Sequence, residues 1–136
     1  MVRIDTIEID LNNRFMPRPD AFRRVKSYSA ATGFVYQYYF YEVEKKRRGS
    51  ASGTEYVYIV SADRKNTFPV RIFVRGNAIE KWAARSGQTL TGTEEYAVAK
   101  MRLFQAFDEI ESLDEKSSDL VVDESNLESL LSQLDL

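Results

Sequence analysis

The chain contains neither cysteine nor histidine. Without cysteine it has no disulfides, no thiolate metal ligands and no thiol nucleophile. Without histidine, Ser-His and Cys-His catalysis are excluded, and with them most zinc and copper centres. Long apolar runs are missing too. None approaches the ~20 residues of a membrane span, and the first fifteen residues carry Asp5, Glu8 and Asp10 instead of a signal-peptide core. No glycine-rich phosphate loop is present, because Gly49 and Gly53 are not followed by Lys and Ser/Thr. Asp119, Asp123 and Glu124 do not match a calcium loop, which needs alternating oxygen ligands around a central glycine. The expectation is a cytoplasmic protein with no membrane partner, no metal and no cofactor. Its 136 residues suit a single core.

What is present is unevenly spread. Residues 1–107 hold 18 Lys/Arg against 11 Asp/Glu, and all 17 aromatics; residues 108–136 hold one Lys against 10 Asp/Glu and no aromatic. The net charges are +7 and −9. The pattern predicts a basic, aromatic-rich domain over 1–113 and an acidic tail over 114–136. Such asymmetry points to a polyanionic partner for the basic part, or to a tail that only confers solubility.

Period-two alternation predicts the strands. Val2–Leu11 alternates with a slip and reads as a strand. Phe34–Lys45, Glu55–Ser61 and Phe68–Arg75 follow, with short connections that imply an antiparallel meander. Gly49–Gly53 reads as a turn or loop. Met16-Pro-Arg-Pro19 cannot be helix interior, and Asp20 after it can cap a short helix over Ala21–Tyr28. Asn77 can cap a helix over Ala78–Ser86 that Gly87 ends. Thr91-Gly-Thr-Glu94 is a capping-box pattern opening a helix to about Leu113. Residues 115–119 read as a linker. Leu127, Leu130, Leu131 and Leu134 then follow i, i+3, i+4, i+7, an amphipathic segment too short to be stable alone. The fold class expected is α+β: three or four antiparallel strands packed by two helices, with a flexible acidic tail.

Two strands carry the candidate chemistry. In the first, Phe34, Tyr36, Tyr38 and Phe40 share one face and Val35, Tyr39, Tyr41 and Val43 the other, before the run Lys45-Lys46-Arg47-Arg48. On the third, Arg71, Phe73 and Arg75 alternate with the apolar set. Tyr56 and Tyr58 share a face of the strand between. Aromatics that stack on bases, interleaved with cations that hold phosphates, suit sequence-tolerant binding of single-stranded nucleic acid. That is the first expected function, with Arg71, Phe73, Arg75, Tyr39, Tyr41, Tyr56, Tyr58 and Lys45 to Arg48 as the surface. The strand order and the acidic, apolar-tipped tail resemble, in architecture only, single-strand nucleic-acid binders with a curved sheet and a covering helix.

A non-enzymatic adaptor or assembly protein is the second expectation. There the aromatic sheet is a subunit interface of a homo-oligomer, and Leu127, Leu130, Leu131 and Leu134 dock on a partner protein. The blander accounts are a sheet face covered by a second layer, a cation run that merely solvates a strand end, and a tail helix docked on its own body. A remote third is a magnesium-dependent nuclease, since Pro19-Asp20 and Glu44-Lys45-Lys46 have the order of a PD…(D/E)xK core, a pattern short enough to recur by chance. The chain is otherwise read as non-enzymatic.

Overall fold

The computed structural model describes residues 24–114 and 117–136. The proposed Val2–Leu11 strand, the Met16–Pro19 break and the Asp20 cap lie outside them. The described chain is α+β. A curled sheet of five strands, β1 (Lys26–Ser29), β2 (Val35–Arg48), β3 (Ala51–Ser61), β4 (Phe68–Arg75) and β5 (Asp119–Val122), follows sequence order. The first four pair antiparallel as neighbours. Between β4 and β5 come α1 (Gly76–Ser86) and α2 (Gly92–Glu109), so β5 returns parallel to β4, and α3 (Leu127–Gln133) follows.

One face of the sheet is the core. Tyr36, Tyr38, Tyr56, Tyr58, Val70 and Ile72 are buried there together with Trp82, Leu103 and Phe107 from the helices. Rings dominate it: Tyr36 stacks on Phe107 at 4.3 Å between centroids, and Tyr28 on Phe104 at 4.5 Å. The strand alternation is as expected on β3 and β4, where Tyr56 and Tyr58 align with Ile72 and Val70.

Among the described residues five strands stand where three or four were expected, and two of the five depart from the sequence pattern. Lys26–Tyr28 is strand rather than the end of a helix. Tyr28 stacks on Phe104, and its hydroxyl donates to Asp108 Oδ2 at 2.7 Å. These tertiary interactions outweigh a weak local helical spacing. Burial, then the adjacent Asp108 carboxylate, push the Tyr28 hydroxyl up to about 12. The larger correction concerns the acidic segment, which is not a flexible tail where it is described. Asp119–Val122 completes the sheet, and Leu120, Val122, Leu127, Leu130 and Leu131 are buried in the same core as Leu103 and Phe107. Arg102 from α2 and the Asn126 side chain both donate to the Val121 carbonyl, tying down the edge of β5.

The helix ends follow local chemistry. Thr91 and Glu94 form the complete capping box, and Gly87 closes α1 with φ 73°. Asn77 does not cap α1, which starts two residues earlier than expected, behind Arg75. Helix α2 stops at Glu109 because Ile110 turns to extended backbone, and Leu113 enters the core separately.

The stretch expected as a loop from Gly49 to Gly53 is a tight hairpin. Arg48 pairs with Ala51, leaving Gly49 and Ser50 as a two-residue turn, with φ 60° at Gly49. Glycine at the first turn position suits the type II′ geometry. Gly53 lies inside β3 for a different reason. A Cβ there would run into the Val74 carbonyl and come within 2.9 Å of Phe73 Cζ. Gly53→Ala should therefore cost about 1–3 kcal/mol in denaturant unfolding, whereas Gly92→Ala, with open space around it, should be tolerated. Equal midpoints for the two variants would show that β3 and β4 separate freely at Gly53.

Candidate nucleic-acid interface

A β-bulge decides what faces what. Phe40 pairs with Tyr58 and Glu42 with Val57, so Tyr41 is the extra residue. Beyond it the alternation of β2 is reset. Val43, Lys45 and Arg47 lie on the helix side, opposite Tyr56, Thr54 and Ser52, while Glu44, Lys46 and Arg48 lie on the outer side, opposite Glu55, Gly53 and Ala51. Val43 thus shares a side with Tyr36 and Tyr38 rather than with Tyr39 and Tyr41.

The four-cation run is therefore split by its own pleat. On the outer side, Arg48 and Lys46 grip Glu55 at 2.9 Å and 3.2 Å, and Lys46 also reaches Glu44. Glu55 is only 2% exposed. Burial alone would raise its carboxyl, but the two cations outweigh that and hold it below the usual range. The Arg48 guanidinium also lies 4.8 Å over the ring of Phe73, a cation–π contact.

On the helix side, Lys45 donates to the Thr54 hydroxyl at 3.1 Å and Arg47 to the Ser52 hydroxyl at 3.3 Å. Hydroxyls orient these two side chains without neutralising them. Both are exposed, and both line an open cleft of about 570 Å³ between the hairpin and the starts of α1 and α2. Glu80 and Glu95 stand in the same cleft; Glu95 accepts a 2.6 Å hydrogen bond from the buried Tyr56 hydroxyl. Burial, then that carboxylate, raise the Tyr56 hydroxyl well above its ordinary range.

The remaining expected site residues are scattered. Tyr56 and Tyr58 are buried beneath the helices, and Phe73 is 2% exposed beneath Arg48, so none of the three presents a ring to a base. Tyr39 and Tyr41 are half-buried. Arg71 is exposed on the outer side, in register with Val57 and Asp119, and Arg75 donates weakly to Asn77 at the end of β4. Leu127, Leu130 and Leu131 are in the core and Leu134 packs against it, leaving no apolar helix face for a partner. Of the nuclease pattern, Glu44 is engaged by Lys46 and Asp20 lies outside the described residues. Among the described residues no three acidic side chains converge as a metal site requires, and no helix is long and apolar enough to cross a membrane.

Two features escape sequence reasoning. The bulge that sorts the cations is invisible in the pattern, because Tyr39, Phe40 and Tyr41 are all compatible with either face. Nothing in the pattern marks Lys100 either; it sits mid-helix, and only the fold brings it to Lys26. No protein-family model, no curated protein and no solved structure matches the chain.

Proposed function

We propose that this is a non-enzymatic, cytoplasmic protein that binds single-stranded nucleic acid without sequence preference, gripping phosphates along the rim of the β2–β3 hairpin. One observation carries the reading. Lys45 and Arg47 are two exposed cations, oriented by hydroxyls and, among the described residues, without a carboxylate at ion-pair distance, side by side on a cleft large enough for a nucleotide. Backbone charge, not a stacking platform, is then the main source of affinity. Glu80 and Glu95 repel phosphate from the inner wall, so the strand runs along the hairpin.

Lys45→Gln/Arg47→Gln should weaken binding of an oligothymidylate and flatten its salt dependence, by about 0.7 in log–log slope for each phosphate no longer neutralised. Glu80→Gln should tighten it. Fluorescence anisotropy across salt measures both. No binding at ~50 mM salt, or affinity indifferent to the double change, removes the reading.

An adaptor or assembly protein, including a homo-oligomer, is favoured by a different observation. Among the described residues, Glu42–Arg48 pairs with β3 alone, while β1 covers only Val35–Tyr38. An unpaired edge is a template for a partner strand, although its cations also serve to keep other edges away. A protein strand would protect the Glu42–Arg48 amides from exchange, whereas phosphates held by side chains leave them open.

A further inference from the structure

The rim has a second pair of cations, contributed by elements far apart in the chain. Lys26 on β1 stands directly across from Tyr38 in the β1–β2 register, on the helix-facing side. Lys100 on α2 brings its ammonium to 6.0 Å from the Tyr38 ring centroid and 5.9 Å from that of Phe104. Lys26 thus stands on the strand beside Tyr38, and the Lys100 ammonium stands near the ring of the same tyrosine. Among the described residues neither has a carboxylate at ion-pair distance. Burial, and then the neighbouring Lys26 charge, weaken the hold of Lys100 on its proton. A fold that merely solvated these lysines would gain by letting them part. Here the Lys100 ammonium stays near the rings of Tyr38 and Phe104 on the side of the sheet that Lys26 faces.

We propose that Lys26 and Lys100 form a phosphate-binding subsite, which takes a phosphate of the same single strand that Lys45 and Arg47 hold. An anion between two ammonium groups replaces their repulsion with two charge-assisted hydrogen bonds. The subsite rests on the nucleic-acid reading for its natural ligand but not for its affinity for phosphate. Across the bulge, the β3 partners of Tyr38 and Lys45 are Val60 and Thr54, six residues apart, roughly 20 Å at about 3.3 Å each. Between the two cation pairs, on the same helix-facing side, lie the half-buried rings of Phe40 and Tyr96, edge to face at 5.4 Å. The path is thus cation, aromatic, cation, and its length asks for a strand of several nucleotides rather than one.

Inorganic phosphate titrated into the full chain, with lysine side-chain NMR signals followed, should shift Lys26 and Lys100 together. Lys26→Gln/Lys100→Gln should abolish that shift, and Lys26→Arg/Lys100→Arg should keep phosphate binding. The Gln pair should lower affinity for an oligothymidylate of ~8 nucleotides by about tenfold. It should also take about 0.7 off the log–log salt slope, one phosphate's worth, while leaving a thymidine dinucleotide at the hairpin unaffected. Absent phosphate shifts, or an oligonucleotide affinity unmoved by the Gln pair while the Lys45/Arg47 pair still matters, overturn the subsite and spare the function. If instead the Lys45/Arg47 pair has no effect but phosphate shifts both lysines, the nucleic-acid reading falls and the anion site stands.

Discussion

A chain ended at Leu113 should not fold. By composition its last 23 residues look dispensable, acidic and free of aromatics. By position they are core. Their loss removes β5 and α3, and with them the buried Leu120, Val122, Leu127, Leu130 and Leu131. A single buried leucine cut to alanine costs about 2–5 kcal/mol, against a total stability of roughly 5–15 kcal/mol for an ordinary domain. Five such side chains exceed it. The truncated chain should lack a cooperative thermal transition and near-ultraviolet dichroism. Leu130→Ala in the full chain should lower stability by about 2–5 kcal/mol and keep the transition cooperative. A truncated chain that melts cooperatively near the parent's temperature would show that the meander and two helices suffice. Truncation therefore cannot be used to ask what the acidic segment does to nucleic-acid binding, because it removes part of the domain.

Lys46→Met/Arg48→Met should be the most damaging change among the surface charges at pH 7, because it leaves a buried carboxylate without its cations. Glu55 would keep its burial and lose both cations. In the parent its carboxyl is held below the ordinary value, so its contribution to stability is present above about pH 4.3 and is lost as pH falls through the folded value. In the double variant only burial acts, and the folded value rises above the unfolded one. The penalty is then full at neutral pH and fades on acidification. Parent and variant stabilities should therefore converge as the pH drops toward 4. Methionine at 48 still covers Phe73, which limits the change to charge. Adding Glu55→Met should recover most of the loss, since apolar replacement of a whole buried ion network is often neutral. Urea midpoints between pH 4 and 7 decide it, and a gap independent of pH would mean that Glu55 is not the cause.

Elements with strong local chemistry are legible in the sequence. The alternation of Phe68–Arg75 marks the bounds of β4, and Thr91 with Glu94 marks the start of α2. Both depend on neighbours in sequence. β1 and β5 are not legible, because KSYS and DLVV are four-residue strands whose pairing is decided by what lies beside them. The leucine spacing of Leu127–Leu134 does reveal an apolar helix face but not its partner, which is the body of the same chain. At the candidate site the residue types are visible and their sides are not. Alternation shows that two strands have two greasy faces, and cannot say that the helices take the one with Tyr56 and Tyr58. The single extra residue at Tyr41 then swaps the sides of the four cations. No period-two reading carries across a bulge.

The parallel pairing of β5 with β4 also has a kinetic meaning. Every other strand pairing in the sheet joins chain neighbours, so β1 to β4 can zip together through short loops. Val74 meets Val122 only after two helices have been laid down between them. That closure is the slow, high-separation step of the fold, and loop entropy must be met before its packing gives anything back. During synthesis the basic hairpin emerges before β5 and α3, which leaves the aromatic face of the meander without them. Until Leu120 and Leu130 arrive, that face is apolar surface of the kind that aggregates.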